Sequence, residues 1–295
     1  MKRSLTFLFG FLILSISGAG AQSAAWRFPA KVEAGTAFST PTTGSGAATL
    51  YIVGPGDALR RNIQLGESIP FGSRDLLNAG HYVAFLIAGS SVQSAAFDVT
   101  ASSQPASLSF LAKPSRLAVN QPNGLSGVVY LLDRFRNLAV QPQSVMFELS
   151  DPTGRTESRA ASTHNGVAWV KMNSTAKAGF AQFQAIAGTV RERRVVQQIA
   201  GEPCAVKMTA RAATPGGEQR KVVLETEQLR DCNGNASSDG TIVTFTEVYG
   251  GRQATVDVPL KRGVAQTELA AQNGAIFSVA SGIVTGNEIR WSGGR

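Results

Sequence analysis

The sequence predicts an all-β protein built from tandem β-sandwiches, and three observations carry that expectation. Glycine is abundant, at 31 of 295 residues, charged residues make up only 16%, and no long Leu/Glu/Lys/Ala pattern marks a helix. Turn clusters such as Pro55-Gly56-Asp57, Pro122-Asn123-Gly124, Pro152-Thr153-Gly154 and Asn165-Gly166 divide the chain into short runs of alternating apolar and polar residues. The stretch from Asp231 to Phe245 also recurs in degraded form 98 residues earlier, from Asp133 to Phe147, as a repeated module would.

The first residues read as an export signal. Lys2 and Arg3 form a basic start, Leu5 to Ile16 is a mostly apolar run, and Ala19-Gly20-Ala21 supplies the small residues of a cleavage site, which places cleavage after Ala21. The run is shorter than the roughly 20 apolar residues of a spanning helix, and no later segment is longer, so the mature chain is expected without a transmembrane segment. The expected location is periplasmic or extracellular. In such a compartment an isolated cysteine pair suggests a disulfide, here Cys204 to Cys232, worth roughly 3 kcal/mol in the chain-entropy model. The formal charge of +8 falls by two once Lys2 and Arg3 leave, and the remaining bases are scattered. Only Arg191, Arg193 and Arg194 are dense; they read as a solvated strand face, with contact to a polyanion or membrane surface as the functional alternative.

Taken in order, residues 22–101 predict a first sandwich. Its strands include Ala48 to Val53, Arg60 to Leu65, Ser68 to Phe71, Ala79 to Ala88 and Ala95 to Thr100, and no copy of the repeated stretch supports it. The small polar run Ala101 to Ser107 reads as a linker. Residues 107–200 predict a second sandwich, with strands at Ser107 to Leu111, Leu125 to Leu132, Ser144 to Leu149, Gly166 to Met172 and Phe180 to Ala187. The spacing of turns fits the immunoglobulin-like arrangement. After Gly201-Glu202-Pro203 the order repeats over 204–295, with strands at Val206 to Ala210, Lys221 to Leu229, Thr241 to Val248, Gly263 to Leu269 and Ala275 to Ala280.

Three features recur in one order in the two copies: Asp-x-x-(Gly/Arg)-Asn at Asp133 to Asn137 and Asp231 to Asn235, a Val-x-Phe strand, then Gly-Val-Ala at Gly166 and Gly263. This set resembles the bacterial immunoglobulin-like domains that occur as tandem modules in adhesins of the invasin and intimin type, well over 204–290 and more weakly over 107–200. The resemblance implies module type. In that family such modules act as rigid spacers presenting a distal adhesive domain, and this chain carries neither the barrel nor the lectin-like tip of those proteins.

The Asp231 stretch begins like a calcium loop, Asp-x-Asn-x-Asn, but Gly falls at position four instead of six and position twelve is Ile242 instead of a bidentate Glu. A structural corner fits better, with Asp133 and Asp231 accepting backbone N–H bonds, Asn137, Asn233 and Asn235 supporting the turn, and Gly234 or Asn235 taking left-handed φ. His81, inside an apolar run, reads as partly buried, and His164, beside Asn165-Gly166, as a solvated turn residue. Neither lies near a nucleophile or ligand set, and Glu225 and Glu227 share one strand face, so no triad, zinc site or glycosidase pair emerges. Trp169 has no aromatic counterpart in the other copy, where Gln266 stands. Core or interdomain packing is the ordinary reading of Trp169, and exposed contact with glycan or protein the functional one.

The function expected is that of an exported, non-enzymatic spacer or binding module at the cell envelope. Its partners would be an envelope protein or glycan, with no nucleic acid, cofactor or metal. The alternative is a periplasmic chaperone or assembly accessory using its sheet edges.

Overall fold

The computed structural model describes residues 25–213 and 221–292; the leader expected over residues 1–21 lies outside them. Among the described residues every regular element is a β-strand, and the chain divides into two compact units, one ending at Thr100 and the other starting at Ala101.

The first unit contains β1 (Ala25–Trp26), β2 (Lys31–Glu33), β3 (Phe38–Thr43), β4 (Ala47–Gly54), β5 (Asp57–Gln64), β6 (Ser68–Phe71), β7 (Gly80–Ala88) and β8 (Ser91–Thr100). They form a three-stranded sheet, β1-β3-β6, and a five-stranded sheet, β2-β8-β7-β4-β5, in which only the short β2 runs parallel to its neighbour. Alternation decides which face is buried: Tyr82, Ala84 and Leu86 of β7 point inward between exposed and half-buried neighbours. Phe28, Phe38, Phe71 and Phe97 pack together with ring centroids 4.4 to 5.9 Å apart, Phe38 stacked on Phe71 and Phe28 edge-on to both. Tyr82 anchors the β7 corner, its hydroxyl donating to the Asn78 carbonyl at 2.8 Å.

The second unit opens with β9 (Ser107–Lys113), β10 (Arg116–Ala118), β11 (Leu125–Leu132), β12 (Ser144–Ser150), β13 (Thr156–Ser162), β14 (Val167–Met172), β15 (Gly179–Ala187) and β16 (Val190–Ile199). Sheets β9-β11-β14 and β10-β16-β15-β12-β13 repeat the order of the first unit strand for strand, including the short parallel β10. Their core is closed by Phe110, Phe147 and Phe183, all fully buried. A further sandwich follows from β17 (Met208–Ala212), β18 (Lys221–Thr226), β19 (Ile242–Tyr249), β20 (Arg252–Pro259), β21 (Gln266–Ala270), β22 (Ile276–Ser281) and β23 (Val284–Arg290). Sheets β17-β18-β21 and β20-β19-β22-β23 enclose a second, separate core around Phe245, Phe277 and Trp291.

Two expectations change. The first sandwich does have an internal copy, but it is the β7–β8 hairpin that recurs and not the Asp corner. Ala79-Gly80 and Ala88-Gly89 match Ala178-Gly179 and Ala187-Gly188, with φ of 149° and 59° against 138° and 57°. In both hairpins a proline ring fills the space beside the first glycine, Pro55 against Gly80 and Pro152 against Gly179. The strands β13, β20 and β23 carry little apolar alternation because they bury little on either face: β13, Thr-Glu-Ser-Arg-Ala-Ala-Ser, is exposed at all but one position.

Candidate functional site

The repeated Asp corners link strands β11 to β12 and β18 to β19. Asp231 is 5% exposed, and both its oxygens are used: Oδ1 accepts the N–H groups of Asn233 and Asn235 at 2.9 Å, while Oδ2 accepts Asn235 Nδ2 at 2.8 Å and the Gly201 N–H at 3.1 Å. Asp133 repeats the pattern with Phe135, Asn137, Asn137 Nδ2 and the Ser102 N–H at 2.8, 2.9, 3.0 and 3.3 Å. Each carboxylate thus binds its own turn and the chain that leads into its sandwich. Gly234 takes φ 77° at the bend; in the other copy Arg136 takes φ 70°, a conformation costly for a residue with a Cβ.

The Asp231 corner also reaches the preceding sandwich. Asn235 Nδ2 donates to the Ala176 carbonyl at 2.9 Å, Asn235 Oδ1 accepts the Ala178 N–H at 3.0 Å, and Lys177 Nζ donates to the Asn233 carbonyl at 3.3 Å. Cys204 and Cys232 are joined, with Cα atoms 4.8 Å apart, which ties the incoming chain to the corner a second time. Burial pushes the Asp231 carboxyl up, but hydrogen bonds from the Asn235 side chain and the Asn235, Gly201 and Asn233 amides outweigh it and hold the group below its ordinary range.

The residues expected at the surface do not form one site. Trp169 lies on β14 in the three-stranded sheet, Arg191 and Arg193 on β16 in the five-stranded one. Arg191 and Arg193 face out beside Ile186 and Gln184, whereas Arg194 pairs with Glu192, whose other oxygen accepts the Phe110 N–H of edge strand β9 at 2.9 Å. Only two of the three arginines remain as an outward pair.

Trp169 is not core: 66% of it is exposed. The pairing register explains what surrounds it. Val128 of β11 stands between Trp169 of β14 and Leu111 of β9, with Val167, Tyr130 and Ser109 in the row on one side and Lys171, Ser126 and Lys113 in the row on the other. Leu111 and Tyr130 are 49% and 37% exposed, so the outer face of this sheet carries an apolar stripe with a lysine at each side of one end. Leu111, Tyr130 and Val128 escaped the sequence reading because they sit in runs where both parities are apolar. The parity of Phe110 and Val129, both fully buried, is the signal that sorts them outward.

The histidines and the paired glutamates lie at the surface. His81 is exposed, not partly buried, because β7 turns it outward, where Nδ1 lies 3.0 Å from Asp98 Oδ1. His164 is exposed in its turn, and Glu225 and Glu227 face Arg211 and Lys207 at 4.0 and 3.1 Å. A polar cleft of about 610 Å³ in the second sandwich is lined by Asn120, Asp151, Arg155, Glu157, Asn173 and Lys177. Its Asp151 carboxylate already accepts the Thr153 hydroxyl and the Thr153 and Arg155 amides. Among the described residues no group of three or more His, Cys, Asp or Glu is placed to hold a metal ion. No helix among them is long and apolar enough to cross a membrane.

Fold and surfaces together define an all-β chain of immunoglobulin-like sandwiches. No protein-family model matches it, and no curated protein does. Among solved structures it is similar to invasin, a bacterial integrin-binding protein, at 13% identity and a TM-score of 0.49, over 91% of this chain and 59% of that one. It is also similar to a tetra-tandem repeat from the extending region of a large adhesion protein, at 12% identity and a TM-score of 0.28, covering 86% of this chain and 68% of that one. The FN1–FN3 domains of chicken CNTN1 match at 11% identity and a TM-score of 0.35, over 86% and 92% of the two chains. Invasin is of the type that the sequence resemblance names. At such identities the likeness concerns fold, and function is argued from this chain's own surfaces.

Proposed function

We propose that this chain is an exported, non-enzymatic protein of three tandem immunoglobulin-like modules, 22–101, 107–200 and 204–295, and that the middle module binds an anionic envelope glycan. One observation carries the binding reading: the exposed Trp169, Leu111 and Tyr130 around the half-buried Val128, beside Lys113 and Lys171. A flat indole is suited to stack on a sugar ring, and the lysines to meet carboxylate or phosphate groups at its rim. The net positive charge favours approach to such a polymer. The outward Arg191 and Arg193, on the opposite sheet, add long-range attraction.

The alternative, an accessory that lends its sheet edges to clients, is opposed at two of those edges by a side chain. Arg61 of β5 and Arg159 of β13 stand on the core-side parity of edge strands and reach across the open side of their sandwiches, an arrangement that discourages strand addition there. The test of the binding reading is equilibrium binding of the purified chain to an acidic cell-wall polysaccharide and to a neutral one. Trp169→Ala should weaken binding to the acidic polymer about tenfold, and Lys113→Gln with Lys171→Gln should remove the preference for it. Unchanged affinity in Trp169→Ala would sink the proposal, and a protein cross-linked through this face would transfer the site to a different partner class.

A further inference from the structure

Among the described residues the larger sheet of each sandwich ends on one side in β5, β13 or β20, each paired on one side only, with β4, β12 and β19, and on the other in the short parallel β2 and β10 or in β23. Along the free side of such a strand, alternate backbone N–H and C=O groups have no strand partner and can template another strand. The sandwiches differ in what guards that side.

In the first two, an arginine occupies the same place. Arg61 lies opposite the buried Leu50 and Arg159 opposite the buried Phe147, so both enter from the edge toward the core. Each then crosses the open side to the facing sheet. Arg61 donates to the Pro70 carbonyl of β6, pairs with Asp75 at 2.5 Å and lies 5.1 Å over the Phe71 ring; Arg159 donates to the Lys171 carbonyl of β14 at 2.5 Å. Pro70 and Lys171 are both the next-to-last residue of their strands. A strand added to β5 or β13 would have to bury these charges or dislodge them.

In the third sandwich the residue opposite the buried Phe245 is Val256. Its neighbours on the same face are Ala254 and Val258, and no charge stands at the place Arg61 and Arg159 occupy. The strand β20 is eight residues long, Arg-Gln-Ala-Thr-Val-Asp-Val-Pro, rich in β-forming residues and not interrupted until Pro259. Among the described residues only β19 pairs with it.

We propose that β20 is an open edge through which two copies of this chain pair, joining their four-stranded sheets into one continuous eight-stranded sheet about a two-fold axis. Registers centred on a residue keep inward faces inward, and among them the one centred on Thr255 lies at the middle of the strand. It sets Thr255 against Thr255, Ala254 against Val256, Gln253 against Asp257 and Arg252 against Val258. Threonine faces threonine, an amide faces a carboxylate, Ala254 and Val256 meet at the centre of the core side with Arg252 beside Val258 at its two ends, and no like charges oppose. On β5 a two-fold axis at Arg60 or Arg61 sets arginine against arginine, and in any register Arg61 is already engaged with Pro70, Asp75 and Phe71 across the open side. Self-pairing of β13 would need Arg159, which is already spent on β14.

Sedimentation velocity of the purified chain over a wide concentration range tests this. The expected result is a reversible dimer whose dissociation constant rises tenfold or more in Val256→Arg, which installs the side chain that the other two edges carry. A second variant, Thr255→Cys, faces outward and does not touch the core. Under mild oxidation it should give a single disulfide-linked dimer, whereas Thr246→Cys, on the adjacent strand, should not. A chain that stays monomeric at the highest concentration overturns the proposal. So does a dimer that Val256→Arg leaves intact and Thr255→Cys fails to cross-link.

Discussion

At the scale of single residues, the Asp231 carboxylate decides how the last sandwich meets its linker. Four N–H donors converge on it, and a neutral carboxyl satisfies them poorly. Because its folded pKa lies below the unfolded value, its stabilisation is complete above the ordinary carboxylate pKa, about 3.9, and is lost as pH falls through the folded value. Asp231→Asn should therefore destabilise the last sandwich by about 3 kcal/mol at pH 7, with the gap to wild type narrowing below about pH 4. Thermal unfolding followed at both pH values checks this, and a gap independent of pH would assign the loss to shape instead of charge. The same corner tolerates Arg136 where the other copy has Gly234, since the Asp carboxylate and not the bend residue holds the turn together.

At the scale of elements, the hairpin β15–β16 and its first-unit counterpart β7–β8 share a steric lock that neither the corner motif nor the hydrophobic pattern announces. A Cβ on Gly179 would come within 2.7 Å of Pro152 Cγ, in a backbone conformation with φ 138° that side chains rarely adopt. Gly179→Ala should cost about 2 kcal/mol by crowding and backbone strain together. Pro152→Ala in the same chain should restore part of that loss, because it removes the clash and leaves the strain. A double-mutant cycle by chemical denaturation measures the coupling; strictly additive losses would mean that the proline ring is not the obstacle.

At the scale of the whole molecule, the second unit owes its joint to a few polar contacts between its two sandwiches. Asn235 holds Ala176 and Ala178 from across the boundary while its own backbone stays bound to Asp231. Asn235→Ala should leave both cores folded and loosen the joint. Spin labels placed on the two sandwiches should then show a broader distance distribution by pulsed electron resonance. An unchanged distribution would place the rigidity in the disulfide-tied linker, which Cys232→Ser would then release. A stiff joint matters for a binding module, since it fixes where the Trp169 face points relative to the last sandwich.

The sequence by itself determined the all-β class and the repeat, because turn chemistry, alternation and motif spacing act over a few residues and are written locally, and an export signal with only two cysteines pointed to the Cys204–Cys232 pairing. Cys232 sits inside the corner that meets Cys204, so two local signals met at one place. Only the tertiary structure decided which side of each strand faces water. That choice turned Trp169 and His81 outward, split the three arginines between two faces and assembled the stripe around Val128. It also decided which edges are closed. Arg61, Arg159 and Val256 look unrelated along the chain, and their common position appears only once each stands opposite a buried residue of the neighbouring strand, since register is set by long-range pairing and not by any residue alone.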